Sequence, residues 1–348
     1  MFPILIGITI FAFALLRSFP NSVLAADFIS ATAGNSGVPY PVLVHEASIK
    51  LGLNYPIPIQ YFYFLQDFLT GNWGFVNAPV TGSTVQVISL LLPNTLQLLI
   101  FTFIITLGIG IPLGTYIGSK PQSLADHSSR VFSLVGFAMP QFFFGLLLLL
   151  AFGQGVGHWF GAIFPIDGVV SFPNLPPAWA YNPTTGFMES GPTHMIFFDA
   201  LIHLDPGVAL NAFMHLFLPV LTLSYALLAT IVIYLRAGMI DATGQEYVKT
   251  ALAKGVQRRE LFRKHIRRNA MIPTITTIGF FFTYVLSAVI VVETLFAYHG
   301  IGWFVAEAAI SAQVYGIVYT GILFGIMLML INFVIDILYV YLDPRIRY

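Results

Sequence analysis

The residues able to do chemistry are concentrated in one stretch. Asp241 to Asn269 holds Glu246, Lys249, Lys254, Arg258, Arg259, Glu260, Arg263, Lys264, Arg267 and Arg268, in a 348-residue chain that is only 9% charged. The spacing predicts two short helices. In the first, Tyr247, Val248, Ala251 and Leu252 recur at helical intervals, and Gly255 suits the left-handed turn that ends a helix. In the second, Leu261, Phe262 and Ile266 share a face while Arg259, Arg263 and Arg267 form an i, i+4 ladder. Such a pattern makes directional polar contacts rather than bonds, and two occupants fit it: anionic headgroups, or another protein. A second group, His194, Asp199, His203 and Asp205, has metal-ligating and pH-responsive types. It lacks helical ligand spacing and reads as ordinary polar residues of a solvent-facing segment, so no metal site is expected.

Several chemistries are excluded outright. The chain has no cysteine, which removes disulfides, thiolate catalysis and Cys-ligated zinc. The dipeptide Gly-Lys never occurs, so the phosphate-binding GxxxxGK[ST] loop is absent, and neither HExxH nor GxSxG is present. Fifteen basic against fifteen acidic residues leave no net charge, hence no global field to hold nucleic acid.

The elements that must position the polar stretch are membrane helices. With 57% hydrophobic residues and far fewer charges than the roughly 25% of a soluble domain, the chain reads as an integral membrane protein. Runs at Leu90–Gly118, Val131–Trp159, Leu216–Leu235, Ile272–Val292 and Ile317–Ile335 are each long enough to cross a bilayer, which takes ~20 residues, and show no barrel-type alternation. Phe2–Leu16 is shorter and reads either as a first span or as the apolar part of a cleaved leader, with Ala25-Ala26 as a cleavage site; the missing basic n-region and the following Arg17 favour the span. Six spans put both termini on one side. If that side is cytoplasmic, Lys120, Arg130, the basic residues from Arg236 to Arg268, Arg345 and Arg347 lie inside and only Arg17 and Lys50 outside, as the positive-inside rule requires. The resulting plan is a first span over 1–16, an extracytoplasmic segment 17–89, and a core 90–348 that carries an extracytoplasmic insert 160–215 and a cytoplasmic loop 237–271. Aromatics in the two outer segments, among them Trp73, Tyr61 to Phe64, Trp179, Tyr181, Phe197 and Phe198, suit packing onto the bundle's outer mouth or a docking face. Gly110, Gly114 and Gly118 form a small-xxx-small face for close helix packing.

The loop pattern Glu246-Tyr-Val-x-Thr-Ala251-x-Ala253-Lys254-Gly255, followed by Arg268-Asn269-Ala270-x-Ile272-Pro273, resembles the EAA loop of binding-protein-dependent ABC importer permeases, and more narrowly of the dipeptide/oligopeptide type. The likeness extends through Gly71-Asn72-Trp73-Gly74, Leu92-Pro93-Asn94-Thr95-Leu96-x-Leu98, Pro112-Leu113-Gly114, Met139-Pro140-x-Phe142-x-x-Gly145, Leu218-Pro219-x-Leu221-Thr222-Leu223, Val292-Glu293-x-x-Phe296, Gly300-Ile301-Gly302 and Asp343-Pro344-Arg345. It departs at the N-terminus, at Asn72 where the family has Asp, and in the long outer insert. The resemblance implies an all-α membrane protein of six transmembrane helices with the type I importer permease fold and enlarged extracytoplasmic segments. It further implies a multi-pass protein of the cell membrane that performs no catalysis. Its implied partners are a second permease subunit, two cytoplasmic ATPases that bind the ATP and magnesium, an extracytoplasmic solute-binding protein and the lipid bilayer. The implied cargo is a di- or oligopeptide; relatives of this architecture also carry oligosaccharides or nickel. An ATP-independent secondary transporter is the rival class, and the scarcity of intramembrane charge argues against it.

On that reading Glu246, Tyr247, Thr250, Ala251, Ala253, Lys254, Gly255, Arg258 and Arg259 couple to the ATPases, and Pro273 makes a corner at the start of the fifth span or simply occupies its first turn. Asn94, Gln97, Gln141, Tyr225, Tyr284, Ser287 and Glu293 are candidates to line the passage, or else to hydrogen-bond between helices. Thr222 belongs to the same polar set. Asp336 is expected to pair with Arg236 or with a neighbouring subunit.

Overall fold

The structure, a computed structural model, describes residues 2–32, 38–77, 80–156, 159–171, 177, 179–180 and 191–342. Tyr181 and the Asp343-Pro344-Arg345 motif lie outside them. Helix α1 (Phe2–Ser18) is followed by three outer helices, α2 (Asn21–Thr32), α3 (Tyr40–Lys50) and α4 (Ile57–Thr70), and by a two-residue antiparallel ladder, β1 (Phe75–Val76) with β2 (Gly82–Ser83). The core is α5 (Thr84–Ser119), α6 (Leu124–Ala138), α7 (Gln141–Phe152), the short α8 (Ile196–Ile202) and α9 (Pro206–Thr243). The inner helices α10 (Glu246–Ala253) and α11 (Arg258–Leu261) lead through a π-helical turn, Phe262–Ile266, into α12 (Arg267–Leu295), and α13 (Ile301–Ile310) and α14 (Val314–Leu342) complete the chain.

Among the described residues three helices, α5, α9 and α14, are individually long and apolar enough to cross a membrane. Three more apolar segments are bent: α1 against α2 by 94°, α6 against α7 by 107°, and the Arg259–Gly279 stretch against Thr283–Leu295 by 49°; each bent pair counted as one span gives six. The single helix expected over Val131–Trp159 is thereby corrected to two helices, α6 and α7, that meet at a sharp turn. Pro140 has no amide to donate and its ring pushes Met139 out of the helical region, to φ −85° and ψ 123°, so the chain turns there. Pro273 is corrected too. Helix α12 runs through it without a corner, six residues beyond its start, and the bend lies after Gly279.

At the centre lies α9, 67% of whose apolar stretch is buried against 33% for α5 and 22% for α14. Pro206 sits at its first turn, and the Asp205 carboxylate accepts the Val208 amide at 3.1 Å, so the orphan donors of this 38-residue helix are partly satisfied. The glycine stripe of α5 packs along it. A Cβ at Gly110, Gly114 or Gly118 would stand 3.1, 3.1 and 2.7 Å from the side chains of Ile231, Leu235 and Met239, so these α9 side chains rest directly on the α5 backbone. The main core adds Val285, Leu286, Val289 and Val292 of α12 to Leu216, Leu218, Leu223 and Leu227 of α9. The first outer segment packs on α14: Trp73 stacks on Phe68 and Tyr319 at 5.6 and 5.4 Å, and the Thr9 and Tyr61 hydroxyls bond at 2.9 Å. Of its aromatic cluster, Phe64 is buried whereas Phe62 and Tyr63 are exposed.

Candidate functional site

The polar stretch forms a knuckle at one end of the bundle. Helix α9 ends at Thr243, and Gln245 begins α10 with its first turn carrying Glu246. The helix closes at Gly255, whose φ of +79° is the left-handed conformation that a Cβ would strain. Val248 drops into a small core with Leu235, Met239 and Ala242 of α9 and with Leu261, Ile266 and Ala270; Ala251 and Phe262 pack at its edge. One hydrophobic cluster therefore fixes α10 to the end of α9 and to the start of α12. The opposite side is open: Glu246, Tyr247, Thr250, Leu252, Ala253 and Lys254 are exposed, and Arg259 of α11 is exposed apart from them. Arg258 opens α11. Tyr247 and Leu252, spaced as though to share the buried face with Val248, instead stand outside at 37% and 50% exposure. Lys249 bonds Glu246 at 2.7 Å and Lys264 bonds Glu260 at 2.6 Å, both surface pairs that add little stability.

A buried ion pair secures the base of the knuckle. Asp126, in the first turn of α6, is inaccessible to solvent and accepts bonds from the Arg236 guanidinium, the second of them from Nη2 at 3.1 Å. It also accepts from Arg130 Nη2 at 2.9 Å and from the Gln122 amide at 2.9 Å, while its own amide is capped by Ser123 Oγ at 3.2 Å. The expected Asp336–Arg236 pairing is thus corrected: Arg236 is engaged by α6, and Asp336 is exposed. This link joins residues 110 positions apart, and its local signals are a serine N-cap before Asp126 and a lone arginine near the end of an apolar run.

At the other end a second polar constellation is turned inward. Glu293 near the end of α12 is fully buried; Oε1 accepts from Thr95 Oγ1 at 2.6 Å and Oε2 from the Trp303 amide at 3.0 Å. Thr95 in turn accepts the Ile301 amide at 2.9 Å. The carboxylate therefore sits on the open N-terminus of α13, where unpaired amides and the helix dipole favour negative charge. Asn94 Nδ2 donates to the His299 carbonyl at 2.7 Å, and burial holds the His299 imidazole below its ordinary pKa. Gln97 donates to Tyr298 Oη at 3.1 Å and accepts the Phe197 amide at 3.0 Å, tying α5 to α8.

The sequence-derived passage residues thus separate into two groups. Asn94, Gln97 and Glu293 are knitted into this clasp, and Gln141 is buried with its amide donating to the Thr222 and Leu223 carbonyls at 3.1 and 3.2 Å. Tyr225 stacks on Phe144 at 4.3 Å and reaches the Phe132 carbonyl at 3.4 Å. Tyr284 and Ser287 differ: with Thr283, Val291 and Thr294 they form an exposed stripe along α12. In the outer insert, Asp199 accepts from the amide and hydroxyl of Thr193 at 2.9 and 2.8 Å, His203 stacks on Trp179 at 4.6 Å, and Asp205 caps α9. Among the described residues no group of three or more His, Asp or Glu is arranged to hold a metal.

Comparison with known proteins bears on this layout. The model of the family described as "binding-protein-dependent transport system inner membrane component" matches residues 110–348. A di/tripeptide transport system permease of Pseudomonas aeruginosa (strain UCBPP-PA14) is 32% identical over 349 residues, covering 100% of this chain and 96% of its own. A dipeptide transport system permease of Escherichia coli (strain K12) is 31% identical, and an oligopeptide transport system permease of Bacillus subtilis (strain 168) 30% identical, each over 99% of this chain and 96% of its own.

Proposed function

Since the chain belongs to the family of binding-protein-dependent transport system inner membrane components, and is thus an ABC importer permease subunit rather than an enzyme, we propose that it forms half of the passage for a di- or oligopeptide and is driven through α10. The observation that carries this reading is the two-sided character of α10. One side chain, Val248, anchors it in a cluster shared with α9 and α12, while Glu246, Tyr247, Thr250, Leu252 and Lys254 point away from the chain. A helix held so rigidly and presenting an amphipathic outer side is a lever awaiting a cleft. ATP and magnesium would be bound by two cytoplasmic ATPases, whose closure pushes α10 and, with it, the ends of α9 and α12. The exposed Thr283, Tyr284, Ser287 and Val291 stripe of α12 would face a second, similar permease and enclose the passage between them, with an extracytoplasmic binding protein delivering cargo. This assigns Asn94, Gln97, Gln141 and Glu293 to holding helices together, and Tyr284 and Ser287 to the passage wall. On this reading both termini and α10 lie in the cytoplasm, which the distribution of Lys and Arg supports.

The relatives' names, di/tripeptide, dipeptide and oligopeptide permease, support a peptide cargo. The test is reconstitution of the complete importer in vesicles. ATP-dependent uptake of a labelled dipeptide is expected, with Leu252→Glu abolishing co-purification of the ATPases while the permease remains folded. Uptake without nucleotide, or undiminished ATPase recovery by the Leu252→Glu variant, overturns the coupling assignment; uptake of a sugar or of nickel in place of peptide overturns the cargo.

A further inference from the structure

Beside the knuckle, and separate from the exposed side of α10, a groove of about 500 Å³ lies between the end of α5 and the α11–α12 junction. Four cations line it: Lys120, which follows the last residue of α5, and Arg259, Arg263 and Arg267 from the junction. The hydroxyl-bearing residues Thr115 and Ser119 line it as well, and no carboxylate does. None of the four cations takes part in an ion pair among the described residues; the basic partners of the four pairs present are Arg130, Arg236, Lys249 and Lys264. Lys120 instead donates to Tyr116 Oη at 3.2 Å and lies 4.6 Å over the Tyr116 ring. The π-helical turn Phe262–Ile266 falls within the arginine ladder, and its wider i→i+5 winding changes the relative directions of Arg259, Arg263 and Arg267 from those of an ordinary helix.

We propose that this groove is a binding site for a phosphate ester anion, supplied by the headgroup of an anionic phospholipid. Guanidinium groups match phosphate oxygens in pairs, and lysine adds a point charge. Two observations favour a lipid over a free phosphate. Phe262 gives the groove an apolar wall, and on the face of α5 above Thr115 the residues Pro112, Gly108 and Ile104 are exposed, a strip on which an acyl chain can lie. Tyr116, half exposed beside Lys120, is the aromatic type enriched where membrane meets water. Basic pockets between membrane helices are the setting in which anionic headgroups are held. Assignment to the inner leaflet rests on the orientation proposed above; the headgroup chemistry does not.

The experiment measures binding of fluorescent phosphatidylglycerol and phosphatidylcholine to the purified full-length chain in neutral detergent micelles. The native chain should prefer phosphatidylglycerol. At about 1 kcal/mol per basic residue, Arg263→Gln with Arg267→Gln should weaken that binding roughly 30-fold, whereas the paired Arg→Lys variants should retain most of it and exclude a folding defect. Inorganic phosphate at matched concentration should not displace the lipid. Equal binding of the two lipids, or an unaltered affinity in the paired Gln variant, overturns the proposal. Displacement by inorganic phosphate as effective as by unlabelled phosphatidylglycerol reassigns the groove to a free anion, and displacement by purified ATPase subunits reassigns it to protein docking. Lys120→Cys, in a chain otherwise without cysteine, separates the orientation from the ligand: labelling by an impermeant thiol reagent only from outside intact cells refutes the orientation while leaving lipid binding to be judged by its own titration.

Discussion

The outer clasp and the inner knuckle are built from the same residue types and use them in opposite ways. Around Glu293 every described polar partner is turned into the protein, bonded to Thr95 or to the amides that open α13. At α10 the hydrophobic anchor is turned inward and the polar side chains outward. A buried carboxylate removed from water has value only through its donors, so the clasp is a device for internal stability. An exposed polar helix side adds almost nothing to its own fold, so the knuckle's polar side chains contribute little to internal stability.

That comparison breaks most readily at Asp126, which belongs to the inner end but is buried like Glu293. Asp126→Ala should destabilise the chain by about 3 kcal/mol, because Arg236 loses its partner in a mostly buried setting, read as loss of folded protein in a detergent thermal-unfolding series. The double variant Asp126→Leu with Arg236→Met should recover much of that loss; no recovery would mean that the pair is unimportant beyond its individual side chains. At the outer end, Glu293→Ala strands the Thr95 hydroxyl and the Trp303 amide and should cost about 2–3 kcal/mol, with increased amide exchange confined to α13. Substituting Gly118 by Ala brings a methyl to 2.7 Å from Met239 and should cost about 1–2 kcal/mol in the same unfolding assay. Smallest in stability and largest in function is Tyr247→Ala, expected to shift unfolding by under about 0.5 kcal/mol while reducing recovery of the ATPases. A Tyr247→Ala variant that unfolds early, or a Glu293→Ala variant that folds normally, would erase the distinction between the two ends.

Much of this was legible in the residues. The glycine stripe at 110, 114 and 118 marked the α5–α9 contact, and Gly255 marked the end of α10, because close approach and positive φ leave few alternatives. Family likeness carried the loop. The 107° break at Met139-Pro140 was written in the X-Pro rule, yet the apolar run around it concealed it. The inward direction of Asn94, Gln97 and Glu293 was not legible, since helices apolar on all sides give no periodicity that separates a lined passage from a packed neighbour. Nor was Asp126–Arg236, where two groups distant in sequence meet through the packing of α6 on α9.

The seam between α5 and α9 has a mechanical consequence. With 36 and 38 residues, each helix is roughly 55 Å long at 1.5 Å per residue. Because the Ile231, Leu235 and Met239 side chains of α9 rest directly on the α5 main chain where the glycines lie, neither rod can slip past the other without forcing those side chains into it. Moving as one beam, the pair would carry its far tip by about 5 Å for a rotation of about 5° pivoting at either end. A small rotation imposed at one end of such a beam would emerge, geared up, as a displacement at the other.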